Sequence, residues 1–241
     1  MAPKYKRKKQ AQHKATSGKS NSKMVYIIVV GILVVALIIA GIYFIGGFGS
    51  TNSQITPTAT TSPTATPNPT PATKNTKVLL QTSMGDITIQ LYEDKPITTQ
   101  NFLKLIALGK YDGAIFHRII KDFMIQGGTI NTNNELIDKS WATINDEIGS
   151  NNHNYQYTIA MAKTQLDNSA TSGFFINTVD NSGIVYPDGT KFDDKYTAFG
   201  IVISGQDVID AIANVPVTTD NSGERSQPTQ LVTIISAKII S

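Results

Sequence analysis

Between Tyr111 and Gly128 the chain reads YDGAIFHRIIKDFMIQGG, which sets three polar side chains, His117, Arg118 and Gln126, among Phe116, Ile119, Ile120, Phe123, Met124 and Ile125. Such a run reads as strand, and strand alternation assigns Phe116, Arg118 and Ile120 to one face and His117 and Ile119 to the other. A guanidinium sharing a face with large apolar groups is costly unless it is paired or put to use. On this segment alone two readings stay open: an arginine held in a surface salt bridge, and a functional cation beside an apolar pocket.

Other chemistries are poorly supplied. The chain has no cysteine, which excludes disulfides, thiolate metal sites, a cysteine nucleophile and a lipid anchor attached through Cys. His13, His117 and His153 are too scattered to suggest a metal centre, so no metal is expected. Asp146-Glu147 falls in a predicted loop and reads as a solvated acidic pair. Ser172-Gly173 lacks a nucleophile-elbow context, and Gly127-Gly128 alone is no phosphate loop.

The elements that must position Arg118 are legible in the periodicity. Strands are predicted over 78–82, 86–91, 114–120, 123–126, 158–162, 174–177, 199–203 and 231–239. In the second of these Ile87, Ile89 and Leu91 alternate with Thr88 and Gln90, so one face is buried. After Pro96, Phe102, Leu105, Ile106 and Gly109 recur at helical spacing with Gly109 as the stop, and a second helix is predicted over 206–213. Many short strands and two helices imply a mainly β domain, a closed eight-stranded antiparallel β-barrel capped by two α-helices.

The residues before the barrel divide into three parts. Residues 1–23 carry eight Lys and Arg and no acid, whereas the rest of the chain holds 13 basic against 18 acidic side chains, a formal net charge of −5. The sequence pI near 8.9 therefore describes a basic arm on an acidic body, and does not argue for nucleic acid. Residues 24–45, MVYIIVVGILVVALIIAGIYFI, are uncharged, and as a helix they span about 33 Å, enough to cross a bilayer. The run is longer than the apolar part of a signal peptide, and no A-x-A-like site follows it. The basic arm places the N-terminus in the cytoplasm and the body outside the cell membrane as a single-pass protein. Residues 46–76 are rich in Thr, Pro, Ser and Ala and are expected to form an extended, disordered stalk between the membrane and a domain at 77–241.

The run FHRIIKDFMIQGG resembles the cyclophilin signature F-H-R-[VI]-I-x-x-F-M-x-Q-G-G. MGDITIQLYEDKPITTQNFLKL upstream, and IAMAKTQLDNSATSGFFINTVDN and KYTAFGIVISGQDVIDAI downstream, agree with the same family in order. The closing QPTQLVTIISAKII is most similar to bacterial periplasmic cyclophilins. The resemblance implies a peptidyl-prolyl cis/trans isomerase needing no cofactor, acting on proline-containing polypeptide segments as a monomeric domain. Arg118 would be the catalytic residue, and Phe123, Met124 and Phe175 would wall the proline pocket. Gln126 would bond the substrate backbone, Ala162 would border the peptide, Phe192 and Tyr196 would form the pocket rim, and His117 would support the site.

The chain also departs from the family pattern. Gly173 stands where most members have a groove-lining Gln, Lys163 where many have Asn, and Lys191 where an aromatic or His is common. Residues 130–157 lack the usual Gly-rich character and hold the sole tryptophan, Trp141, while 183–190 lengthen a loop near the site. The tryptophan that favours cyclosporin in eukaryotic members is missing, which implies weak inhibition by that drug. An isomerase assisting the folding of extracytoplasmic proteins is the leading expectation. A proline-peptide-binding module or holdase with little turnover is the alternative that Gly173 favours. A scaffold role for arm and stalk is a third.

Overall fold

A computed structural model describes residues 76–241. The expected basic arm, membrane helix and nearly all of the stalk lie outside the described residues. Among the described residues no helix is long and apolar enough to cross a membrane.

The chain forms, in order, β1 (Lys77–Thr82), β2 (Gly85–Leu91), α1 (Pro96–Ala107), β3 (Ala114–Ile120), β4 (Met124–Asn131), β5 (Thr158–Met161), β6 (Phe174–Asn177), β7 (Ala198–Ser204), α2 (Gln206–Ala213), β8 (Val217–Thr219), β9 (Arg225–Pro228) and β10 (Ile234–Ile239). Eight strands pair antiparallel in the order β10-β1-β2-β7-β5-β6-β4-β3. The two outer strands are brought together where the Phe116 amide donates to the Val232 carbonyl (2.9 Å) and the Gly113 amide to that of Ile234 (2.8 Å), so the barrel is nearly closed. The interior is filled by alternating side chains such as Val78, Leu80, Ile87, Ile89, Ile159 and Ile176, all fully buried. Helix α1 adds Phe102, whose ring meets Tyr111, Phe174 and Phe199 at centroid distances of 5.1, 5.7 and 5.1 Å.

Three sequence expectations need correction. Phe116 and Arg118 do not share a face: Phe116 pairs with Gly127 and Arg118 with Gln126, so two steps on β3 oppose one on β4. This bulge at His117 turns Phe116 into the barrel core and leaves Arg118 on the outer face with Gln126 and Met124. It also explains the glycine pair, since a Cβ on Gly127 would lie 2.8 Å from the Ile115 carbonyl oxygen, and Gly128 sits at φ +73°. The second correction concerns Asp146 and Glu147, which are engaged rather than solvated. Helix α1 has no side-chain cap of its own, and Glu147 supplies one from fifty residues away, its Oε1 and Oε2 accepting from the Ile97 (3.0 Å) and Thr98 (2.8 Å) amides. Asp146 pairs with Lys163. Third, β8 and β9 form a two-stranded ribbon where no strand is expected, because its three and four residues show no clear alternation.

Candidate active site

A second apolar cluster lies outside the barrel: Phe123, Met124, Ala160, Phe175, Tyr186, Phe192, Tyr196 and Ala198. Phe192 packs edge to face on Phe123 at 5.7 Å and on Phe175 at 5.9 Å, and lies tilted against Tyr196 at 4.7 Å. This cluster walls one end of a cavity of about 440 Å³ that Arg118, Gln126 and Ala162 also line. All eight residues assigned to catalysis or substrate binding therefore meet in one place. Phe192 is fully buried and forms wall rather than rim. His117 does not line the cavity. Its imidazole is largely enclosed, against the Ile115 backbone. Burial, with the neighbouring Arg118 charge, lowers it to about 4 and keeps it neutral.

Arg118 answers both readings of the sequence, because it is paired and also faces the cavity. Its Nε donates to Glu224 Oε2 (2.6 Å) and its Nη2 to Glu224 Oε1 (2.8 Å), a two-pronged pair whose side chains are only 6% and 10% exposed. The third nitrogen, Nη1, points along the cavity wall, 3.4 Å from Gln126 Oε1 and 3.8 Å from the Met124 sulfur. Glu224 enters from the β8–β9 ribbon, so its role could not be read from the chain.

A buried polar ladder fixes the walls from behind. Asn181 Nδ2 donates to the Phe123 carbonyl (2.9 Å) and to Asn177 Oδ1 (2.7 Å). Asn152 Nδ2 donates to the Tyr196 carbonyl (2.9 Å), while its Oδ1 accepts from the Ala198 amide (2.8 Å). These bonds clamp the carbonyls of two pocket residues and satisfy backbone groups that the aromatic packing hides from water.

A model of the cyclophilin-type peptidyl-prolyl cis-trans isomerase family matches residues 77–239, the whole barrel and ribbon. The chain belongs to the cyclophilins. It is 43% identical over 170 residues to a peptidyl-prolyl cis-trans isomerase of Acinetobacter baylyi, covering 70% of this chain and 87% of that one. It is 44% identical over 165 residues to isomerase cyp18 of Streptomyces antibioticus, covering 68% of this chain and 98% of the relative. Among solved structures it is similar to a cyclophilin-type isomerase of Cryptosporidium parvum, crystallised also in the presence of the dipeptide Ala-Pro. The TM-score is 0.53 at 26% identity, over 68% of this chain and 99% of that one. The enzyme class is peptidyl-prolyl cis-trans isomerase.

The departures from the cyclophilin pattern acquire physical meaning here. Gly173 is no vacancy: a Cβ there would lie 2.6 Å from Thr129 Oγ1, so the threonine hydroxyl fills the space a side chain would need. Lys163 adds little free charge to the groove, because its ammonium is paired with Asp146 and Asp167. The unusual stretch 130–157 supplies Leu136, Trp141 and Thr143 to the far end of the cavity. Trp141 is held there by its Nε1 donating to Asn101 Oδ1 (2.6 Å). The loop 183–190 turns back on itself, the Tyr186 amide donating to the Thr190 carbonyl (2.8 Å), and stacks Tyr186 on Phe192 at 6.4 Å and 16°. Lys191 is exposed and takes no part in the wall.

Proposed function

We propose that this cyclophilin rotates X-Pro bonds with Arg118 as its catalytic residue, acting on extracytoplasmic polypeptides from a membrane tether. The observation that carries the proposal is a buried guanidinium on the wall of an aromatic cavity, with its Nη1 clear of the Glu224 pair. Rotation about a peptide bond costs about 18–20 kcal/mol because resonance gives C–N partial double-bond character. In the twisted state the prolyl nitrogen is pyramidal and carries a free lone pair. An N–H aimed at that lone pair stabilises the twisted state more than either planar isomer, which is the condition for rate enhancement. Phe123, Met124, Phe175, Phe192 and Tyr196 would hold the proline ring while the acyl side turns. Gln126, whose Oε1 accepts from Arg118, would offer its Nε2 to a substrate carbonyl. No bond is made to the enzyme at any stage.

The tether rests on sequence: the uncharged run at 24–45, the basic arm before it and the Thr/Pro-rich residues 46–76. The closing motif's likeness to periplasmic relatives supports the same location, and folding assistance is the corresponding role. The test is a prolyl isomerisation assay on the full chain and on residues 74–241. Catalysis by the native forms, lost in Arg118→Ala, supports the proposal. Binding of X-Pro peptides by a folded native form with no catalysed rate would replace it with the peptide-holding alternative. Protease protection of intact cells tests the topology, with the barrel expected to be accessible from outside.

A further inference from the structure

We infer that Glu224 is a positioning residue for catalysis: its carboxylate fixes the Arg118 guanidinium so that Nη1 alone faces the bound prolyl nitrogen. The inference rests on Arg118 being the catalytic residue. An arginine fork presents two edges to a carboxylate, and here the Nε/Nη2 edge is closed by both Glu224 oxygens, at 2.6 and 2.8 Å. Turning the guanidinium would break two charge-assisted bonds at once, so the Nη1 edge is held toward Gln126 and the cavity.

Glu224 is itself held firmly. Asp220 Oδ1 accepts from the amides of Ser222 (2.8 Å) and Glu224 (2.9 Å) and from the Ser222 hydroxyl (2.6 Å). The Asp220 amide in turn donates to the Glu224 carbonyl (2.8 Å), closing the ribbon turn with Gly223 at φ +89°. The carboxylate that aims Arg118 is thus mounted on a braced turn rather than on a loose loop. A surface ion pair would hold little direction, but this one is enclosed on both sides. The purely structural rival is that the pair merely pins the ribbon to β3.

The two roles differ in what they move. In the full chain, Glu224→Ala is expected to lower kcat about tenfold while KM stays within about twofold, since the pocket that binds proline is untouched. Glu224→Gln should fall between, because one carboxamide oxygen still accepts from one N–H. The Arg118 Nε–H resonance, assigned by its absence in Arg118→Ala, should shift and exchange faster in both variants. In an Arg118→Ala background, Glu224→Ala should change kcat no further. An unchanged or raised kcat in the single Glu224 variants overturns the inference, as does a loss carried by KM or an equal loss in the Arg118→Ala background. If Glu224→Ala fails to fold, the isosteric Glu224→Gln and the Nε–H resonance decide. Native protein as slow as Arg118→Ala would instead overturn the reading of Arg118 itself.

Discussion

Replacing Arg118 with alanine has two consequences that the geometry allows to be separated. The first is catalytic: removing the guanidinium beside the aromatic pocket should cost about 10²–10³ in kcat, the usual effect of deleting a directed donor to a developing lone pair or charge. The second is structural, because Glu224 is left as an enclosed carboxylate with no partner. Breaking a buried pair from one side costs about 3–5 kcal/mol. Glu224 is on a ribbon and retains some access to water, which favours the lower figure, about 3 kcal/mol. For a domain of this size that lowers Tm by about 6–12 °C. Arg118→Ala/Glu224→Ala removes both charges and should regain most of that stability while remaining as inactive as the single variant. Urea denaturation and a protease-coupled or exchange-NMR isomerisation assay on the same preparations give both quantities. A double variant as unstable as Arg118→Ala would refute the electrostatic account of the pair. One that recovers catalysis would refute the guanidinium as the agent.

Glu147→Ala should uncap α1 and cost about 1.5–3 kcal/mol, the worth of bonds to a charged acceptor, seen as a lower Tm with little change in KM. His117 gives the domain an acid limb. Its folded value of about 4 lies below the ordinary 6.5, so the unfolded chain takes up the proton first. Stability is therefore whole above about pH 6.5 and falls by about 2–3 kcal/mol on the way to pH 4.5. His117→Gln should flatten that part of a urea-denaturation series, and the isomerisation rate should show no step from His117 between about pH 6 and 9. Gly173→Ala should destabilise by about 1 kcal/mol through contact with Thr129, and Thr129→Ala in the same chain should relieve it. Equal denaturation midpoints for the single and double variants would contradict that packing argument.

Strands β1 and β2 were legible because their buried faces repeat every second residue, and α1 and α2 because their apolar residues recur at helical spacing. The strand and helix over 114–120 and 206–213 match the prediction at both ends. The walls of the aromatic pocket were legible only through the resemblance to the cyclophilins, since Phe123, Phe175 and Tyr196 are brought together by pairings among β4, β5, β6 and β7 that no local pattern encodes. Alternation failed on β3 for a definite reason: a bulge changes parity in the middle of a strand, and a two-residue period has no means of registering it. Glu224 was invisible for another, as its partner is 106 residues away and its ribbon is too short to show a period. The loop at 183–190 was expected near the site, but the inward turn of Tyr186 depends on packing against Phe192.

The first described strand has one more implication. Lys77 exchanges backbone bonds with the last residues of the chain, its amide donating to Ser241 and its carbonyl accepting from Ile240. β1 sits between β10 and β2, while the aromatic pocket is carried by β4, β5, β6 and the segment leading into β7. Pulling on both ends of the described domain therefore loads a single seam, β1 against β10, and not the pairings that carry the pocket. A label fused to the C-terminus would sit beside the point where the chain enters the barrel, and not at the pocket.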